Sequence, residues 1–421
     1  MEIFSIGEKI KRTRTYKGYT LKDLCGNKLS VSKLSCIEND KLPPEDWVLE
    51  YIASKLYVDI DYLKSDIKTQ IKNNITQIEN NKECAEYESK LNYNLEFALK
   101  YKYYDEAFYI MHLLFLYNLE NDRIERLQAL IPRYCEISVK SSLPENQLKY
   151  YTDFGEYLYK SKEYIQAINY YNIVEKGAER KKKNYIQVIA VLSQCKCYVM
   201  LKNYKKVNEL SQKLLDRINY LKNDIEKAEV YSILAVLSIV KKDMQRFKIY
   251  KYIACMLYGD EIHEKARAKY NFAIAMMNVD LKNKGKEYMK NTLDYYSKDD
   301  LSKLTIFKLI CLEHLVNVSR DDNIEELEDI INDTIDCSIK TNNMKCIERA
   351  YHYKSILSEM KEDQQEQEIY MNLSLDVLIR CGKKKDLYKR YIDLGNMYYN
   401  MNSVEESIKY FNLAVKLGEK I

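Results

Sequence analysis

The last 277 residues of the chain, Glu145 to Ile421, contain no proline. Proline costs about 3 kcal/mol inside a helix and is common in the loops of other folds. A stretch this long without one is therefore read as helix after helix. Only four prolines occur at all, at positions 43, 44, 132 and 144, beside ten glycines. The predicted fold class is all-α. At 421 residues the chain exceeds one ordinary core, so two or more folding units or a repeat array are expected. With 46% hydrophobic and 31% charged residues it has the balance of a folded chain rather than a disordered one.

Repeats are visible in the second half. FGEYLYKSKEYIQAINYY, QCKCYVMLKNYKKVNELS and LAVLSIVKKDMQRFKIYK align without gaps and place Gly155, Cys195 and Ala235 forty residues apart. FAIAMMNVDLKNKGKEYM and LGNMYYNMNSVEESIKYF put Ala273 and Gly395 at the same position. The interval between those two predicts degenerate copies centred near His314 and Lys354, and YYDEAFYIM marks an earlier copy near Leu95. The consensus is a small residue, alanine twelve positions on and an aromatic four later, complete in Gly155, Ala167 and Tyr171. Small residues let paired helix axes approach, and the aromatic is expected to fill the gap to the next pair. This is a tetratricopeptide-type pattern, with a period longer than the usual 34 or so. Such pairs stack into a right-handed superhelical array whose concave face suits peptides or helices rather than small metabolites.

The first 66 residues read differently, as short helices. Phe4 to Tyr16 sets Ile6 and Ile10 on one face, and Gly18 ends the helix. Thr20 is an N-cap with Asp23 three residues on, and Leu21 and Leu24 point inward. After the turn at Gly26 and Asn27, Ser30 or Ser32 caps a third helix with Val31, Leu34 and Ile37 inward. Ser32, Lys33, Ser35 and Cys36 then face out. Pro43 and Pro44 break the chain before an amphipathic segment with Trp47, Leu49, Ile52, Ala53 and Leu56. Met1 to Lys41 carries nine Lys/Arg against five Asp/Glu, and Leu42 to Asp66 two against six. A basic face is thus paired with an acidic one. A helix-turn-helix unit would lay its second motif helix in the DNA major groove. The candidate DNA-contacting residues are Arg12, Arg14, Thr20, Lys28, Ser32, Lys33, Ser35 and Cys36, with Arg12 and Arg14 on phosphates. The expected division is 1–66 for this domain, 67–85 for a linker helix and 86–421 for the array.

Little points to chemistry. The four histidines, at 112, 263, 314 and 352, are widely separated, and Cys195 and Cys197 diverge if the segment is helical. No glycine-rich phosphate loop and no nucleophile with an evident base is present, so no metal, cofactor or enzymatic activity is expected. MEIFSIGEKIKR turns polar at once, unlike a signal peptide, and no run approaches the roughly 18 apolar residues of a membrane span. Eleven scattered cysteines fit reduced thiols, so the expected location is cytoplasmic. In the array the first helix of each pair should face the groove. That exposes Asn92, Asn271, Asn278, Asn396 and Asn400, with Lys196, Arg267 and Tyr270 nearby. A carboxamide supplies a donor and an acceptor together, which suits clamping a peptide backbone.

IGEKIKRTRTYKGYTLKDLC, VSKLSCIEND and WVLEYIASKLYVDIDYL together resemble the phage-repressor-type helix-turn-helix family across about sixty residues. The match lies in the opening Ile-Gly, the Arg before the turn, Thr at the cap, the Leu-Ser-x-Ile-Glu segment and the closing Ile-Ala-x-x-Leu. It departs at Leu21, where the family usually has Gln, and in a shorter turn before Leu34. Followed by a tetratricopeptide array, this arrangement resembles the peptide-sensing quorum regulators of Gram-positive bacteria, the RRNPP group, and its NprR-like members in length. The resemblance implies a homodimeric transcription factor that binds a double-stranded DNA operator and a short imported signalling peptide. The alternative it leaves open is an array that binds a protein partner, such as a response regulator of sporulation.

Overall fold

The computed structural model of the chain describes residues 2–81, 86–121, 123–293, 300–318 and 324–419. Among them every regular element is helical. The chain forms two compact units, Met1–Lys202 and Asn203–Ile421.

The first unit opens with five short helices: α1 (Ile6–Tyr16), α2 (Leu21–Cys25), α3 (Val31–Glu38), α4 (Asp46–Leu56) and α5 (Ile60–Lys64). Ser5 caps α1, two residues later than the sequence reading started it, in a reciprocal capping box with Glu8. Thr20 and Asp23 form a second such box on α2, and Ser30 caps α3. These helices share a core that includes Ile10, Leu24, Leu34, Ile37, Ile52 and Leu56. Two residues expected inside are not: Val31 is 45% exposed and Trp47 44%. Each stands at the first turn of its helix, where the chain has not yet closed on the core.

The unit continues with α6 (Ile67–Glu79), α7 (Tyr87–Lys100), α8 (Tyr104–Glu120), α9 (Ile124–Lys140), α10 (Pro144–Lys160), α11 (Tyr164–Arg180) and α12 (Asn184–Met200). Pro144 starts α10, where its missing N–H costs nothing, but Pro132 lies inside α9. The expected linker helix is a member of the array. Ile67, Ile71, Ile75 and Ile78 of α6 are buried in one core with Leu91, Leu95 and Ala107; residues 82–85 lie outside the described residues.

The second unit holds α13 (Tyr204–Asp216), a single 3₁₀ turn, α14 (Asp224–Val240), α15 (Met244–Leu257), α16 (Ile262–Asn278) and α17 (Lys282–Leu293). It ends with α18 (Leu301–Val318), α19 (Ile324–Lys340), α20 (Met344–Met360), α21 (Gln364–Cys381), α22 (Lys384–Asn400) and α23 (Val404–Gly418). The degenerate copies fall where they were expected, with His314 in α18 and Lys354 in α20. The early one does not. YYDEAFYIM opens α8, which packs directly on α10 as α14 does on α16 and α18 on α20. It therefore begins a first helix, not the second helix of a copy centred on Leu95.

The repeat's small residues do what the spacing required, with one change. A Cβ on Gly155 would stand 2.6 Å from the Tyr171 ring, and one on Gly395 2.6 Å from the Phe411 ring. The aromatic thus lies over the glycine of its own pair rather than only in the gap to the next. Many of the turns between helices of the array are three residues long and close in a Schellman pattern. After α10, Lys162 N–H donates to the Tyr159 carbonyl (3.0 Å) and Glu163 N–H to that of Leu158 (2.8 Å). The left-handed residue of each such turn is not glycine. Lys162, Lys182, Lys202, Lys242, Glu362 and Asn402 all hold φ between 53° and 63°.

Candidate functional sites

Two places draw together the residues singled out above. The first is the surface around α3. Its orientation is fixed from inside. The Arg14 guanidinium at the end of α1 grips Glu38 at the end of α3 with two bonds, Nε to Oε1 at 2.6 Å and Nη2 to Oε2 at 2.8 Å. Nη1 donates to the Tyr19 carbonyl at 2.8 Å. The bond to Glu38 raises the Arg14 pKa further, against the opposing effect of burial. Gly7 belongs to the same device, because a Cβ there would meet the Ile37 carbonyl oxygen at 2.3 Å. Arg14 is therefore spent on Glu38 and not available to phosphate, a correction to the expected DNA-contacting set. Arg12 faces away from solvent on one side only: it covers the Phe4 ring at 3.9 Å and pairs with Glu2 at 3.4 Å.

The remaining members line the outside. Lys28 and Ser32 are exposed, and Lys33, Ser35 and Cys36 are half-buried. Thr20 is exposed but its hydroxyl is engaged with Asp23. The Lys33 ammonium reaches Glu45 at 2.9 Å and lies 5.4 Å from the Trp47 ring. That contact holds the exposed Glu45 carboxyl below its ordinary pKa. A surface pair of this kind is worth little in water, so Lys33 can exchange it for another anion.

The second place is a cavity of about 310 Å³ in the second unit. It is walled by α18, α20 and α22, three successive first helices, with α21 behind. Asn317, Asn396, Asn400 and Gln367 supply carboxamides, and Ile356 and Met397 supply apolar surface. A charged network stands beside it. Arg390, almost wholly buried, donates Nη2 to Glu348 at 2.6 Å and points Nη1 at His352 Nδ1. Burial, then the charges of Arg390 and Arg349, push His352 down to about 3, so it is a neutral acceptor. Burial raises the pKa of Asp393 in the same wall.

The other groove candidates do not join this cavity. Asn92 is exposed and donates to the Glu88 carbonyl of its own helix at 3.0 Å. Lys196 is half-buried in α12. Tyr270 is core rather than groove, edge-on to Phe307 and His314. Arg267 already pairs with Glu229 at 2.8 Å and Glu264 at 2.7 Å. Asn271 is half-buried and Asn278 exposed, and neither lines the cavity.

Sequence reasoning also missed a buried cluster in the first unit. Asp153 accepts from the Tyr134 hydroxyl at 2.6 Å and meets His112 Nδ1 at 2.6 Å. Its members sit 19 and 41 positions apart, at no spacing that marks a site. Among the described residues no group of three metal-capable side chains occurs, and no helix is long and apolar enough to cross a membrane.

No family model and no curated protein matches the chain. Among solved structures it is similar to the apo form of the quorum sensor NprR from B. thuringiensis, at 16% identity over 85% of this chain and 99% of that one, TM-score 0.47. It is similar to a Rap protein complexed with competence and sporulation factor, at 12% identity over 84% and 97%, TM-score 0.49. It is similar to a signal-transduction ATPase with a tetratricopeptide repeat sensor from Pyrococcus horikoshii, at 11% identity over 99% and 73%, TM-score 0.50. At these identities the likeness concerns the fold, which is a tetratricopeptide-type helical array.

Proposed function

We propose that this chain is a cytoplasmic, homodimeric transcriptional regulator that binds operator DNA through α3 and senses a short signalling peptide through its array. The observation that carries the first half is α3 itself. It is locked from behind by Arg14 and Glu38, is capped by Ser30, and carries exposed Ser32 and half-buried Lys33, Ser35 and Cys36 off the face that buries Leu34 and Ile37. Small donors and one cation on a rigid helix match the size of the major groove and its pattern of acceptors. The cavity among α18, α20 and α22 supports the second half, since Asn396 and Asn400 lie one helical turn apart on its wall. A peptide bound there would set the spacing of two DNA-binding units in a dimer.

Fluorescence anisotropy with a palindromic operator fragment tests the reading. Lys33→Ala and Ser35→Ala should each cost about 1–3 kcal/mol at the specific site, and Lys28→Ala should lower the salt slope by about one. Unchanged affinity in all three removes α3 as the reading helix. For the array, calorimetry with a peptide encoded beside the gene should show a loss of about 0.5–1.5 kcal/mol for Asn396→Ala or Asn400→Ala. A second reading, an array that binds a protein partner such as a response regulator, is favoured by α15. Ile249, Tyr252 and Met256 form an exposed apolar stripe on it, and Tyr252→Glu would abolish such binding while leaving peptide affinity intact.

A further inference from the structure

The chain's single tryptophan stands outside the core it was expected to join, in the first turn of α4. It is not idle there. The Trp47 indole N–H donates to Glu45 Oε2, and its ring lies 5.4 Å from the Lys33 ammonium. Lys33 in turn donates to the other oxygen of the same carboxylate, Oε1, at 2.9 Å. Glu45 holds the N-cap position of α4 but makes no side-chain cap bond. Among the described residues its carboxylate therefore serves Lys33 and Trp47 alone. Their hydrogen bonds, that of Lys33 first, hold the carboxyl below its ordinary pKa, so it is an ionised acceptor.

The place of this trio matters as much as its bonds. Lys33 lies in the first turn of α3, and the N-terminal residues of a second motif helix are the ones that meet base edges. The side chains of Lys33 and Glu45 are 30% and 59% exposed, so both can be reached from outside. An ammonium carries several donors and each carboxylate oxygen more than one lone pair. Both groups thus keep capacity beyond the bonds they make to each other, and they offer donors and acceptors side by side. A G·C pair shows the complement in the major groove: guanine N7 and O6 accept, and the cytosine N4 amine beside them donates. An A·T pair breaks that order, because the adenine N6 donor follows N7 directly and thymine adds a methyl group.

We infer that Lys33 and Glu45 act as one unit that reads a G·C base pair of the operator. Lys33 donates to the guanine and Glu45 accepts from the cytosine, while Trp47 is the positioning residue that aims the carboxylate. This rests on DNA binding through α3 as read above. It adds Glu45 and Trp47, which lie outside α3, to the residues that decide which sequence is bound, and it names the base pair they select.

Selection of bound duplexes from a random-sequence DNA pool by the full chain, followed by sequencing, tests it. The unaltered protein should enrich sites with a fixed G·C pair. Glu45→Ala and Lys33→Ala should relax that same position, the preference for G·C over A·T there falling about tenfold, while the other positions keep theirs. Trp47→Phe keeps a ring and removes the N–H donor. It should relax the same position by a smaller factor and move no other, which a merely structural role would not do. Circular dichroism should be the same for all three variants. Relaxation at different positions, or by Lys33→Ala alone, overturns the inference and leaves α3 as the reading helix. A shared relaxed position that holds A·T in the sites of the unaltered protein overturns it too. A profile unmoved by Trp47→Phe removes the positioning role. No enrichment by the unaltered protein overturns the inference and DNA reading through α3 together.

Discussion

Arg14→Ala separates the framework of the N-terminal unit from its DNA-facing surface. Arg14 makes three donated hydrogen bonds, two to Glu38 and one to the Tyr19 carbonyl. Both side chains of the pair are largely buried. Truncation leaves the Glu38 carboxylate inside with no partner, and breaking a buried pair from one side costs about 3–5 kcal/mol. A unit of some sixty residues holds only roughly 3–9 kcal/mol, at about 0.05–0.15 kcal/mol per residue, so most of its stability is at stake. The chain has one tryptophan, Trp47, and it lies in this unit, so a urea melt followed by its fluorescence reports on the unit. With a slope of about 1 kcal/mol per molar urea for so small a unit, the midpoint should fall by about 3 M. Arg14→Met with Glu38→Leu should recover most of that loss, because an apolar pair leaves no buried charge. A midpoint shift below 0.5 M for Arg14→Ala, on the order of 0.5 kcal/mol by the same slope, would refute the reasoning and return Arg14 to the candidate phosphate contacts.

Three further outcomes follow from particular residues. Lys242 holds φ at 58°, where a side chain is strained and glycine is not, so Lys242→Gly should stabilise by about 0.5–1 kcal/mol in thermal melts; a lower melting temperature contradicts this. Gly155→Ala drives a methyl into the Tyr171 ring and should cost about 1–3 kcal/mol, with Tyr171→Leu in the same chain relieving part of it. His352 has a pKa of about 3 in the folded protein, against about 6.5 unfolded. Between those values only the unfolded chain binds the proton, so stability is whole above about pH 6.5 and declines as the pH falls towards 3. His352→Gln should flatten that acid limb in urea melts followed by circular dichroism, and an unaltered limb would show that the histidine is not buried neutral.

How far the sequence was legible depends on the range of the interactions involved. Helix after helix could be read because proline acts locally, and the forty-residue step survived into α18 and α20 even without its small residue. Lys354 occupies that position and is buried, which is tolerated because Glu328 and Glu366 reach it at 2.7 and 3.5 Å from neighbouring helices. Nothing local announces those partners. Arg14 illustrates the opposite failure: in a basic segment it looks like any DNA-facing cation, and only its contact with Glu38, 24 residues on, shows otherwise. Tyr270 and Asn271 are adjacent and so point about 100° apart on a helix. A register read from small residues cannot say which of the two meets the core, and Tyr270 does. The Schellman turns were hidden because lysine, glutamate or asparagine, not glycine, holds the left-handed position.

The first unit also constrains how a signal could reach α3. The N-terminal arm is threaded into the array rather than lying on it. Ile3 is buried in the core that contains Ile67, Ile71 and Leu91, and its N–H donates to the Tyr93 hydroxyl at 3.1 Å. Gln70 of α6 receives the Phe4 N–H at 3.2 Å and donates to the Phe4 carbonyl at 2.9 Å. Lys9 of α1 is buried, is pushed down to about 8 by that burial, and caps the carbonyls of Tyr62 and Ser65 at 2.6 Å each. Lys9 thus ties α5 to α1, and a hinge at residue 66 would have to break the Ile3 and Phe4 contacts with Tyr93 and Gln70 together, each leaving a polar group without its partner. The α1–α5 core and α6–α7 therefore move as one body. In the proposed regulator, a peptide acts on DNA binding by changing the distance between two such bodies in the dimer, not by swinging α3 about its own linker.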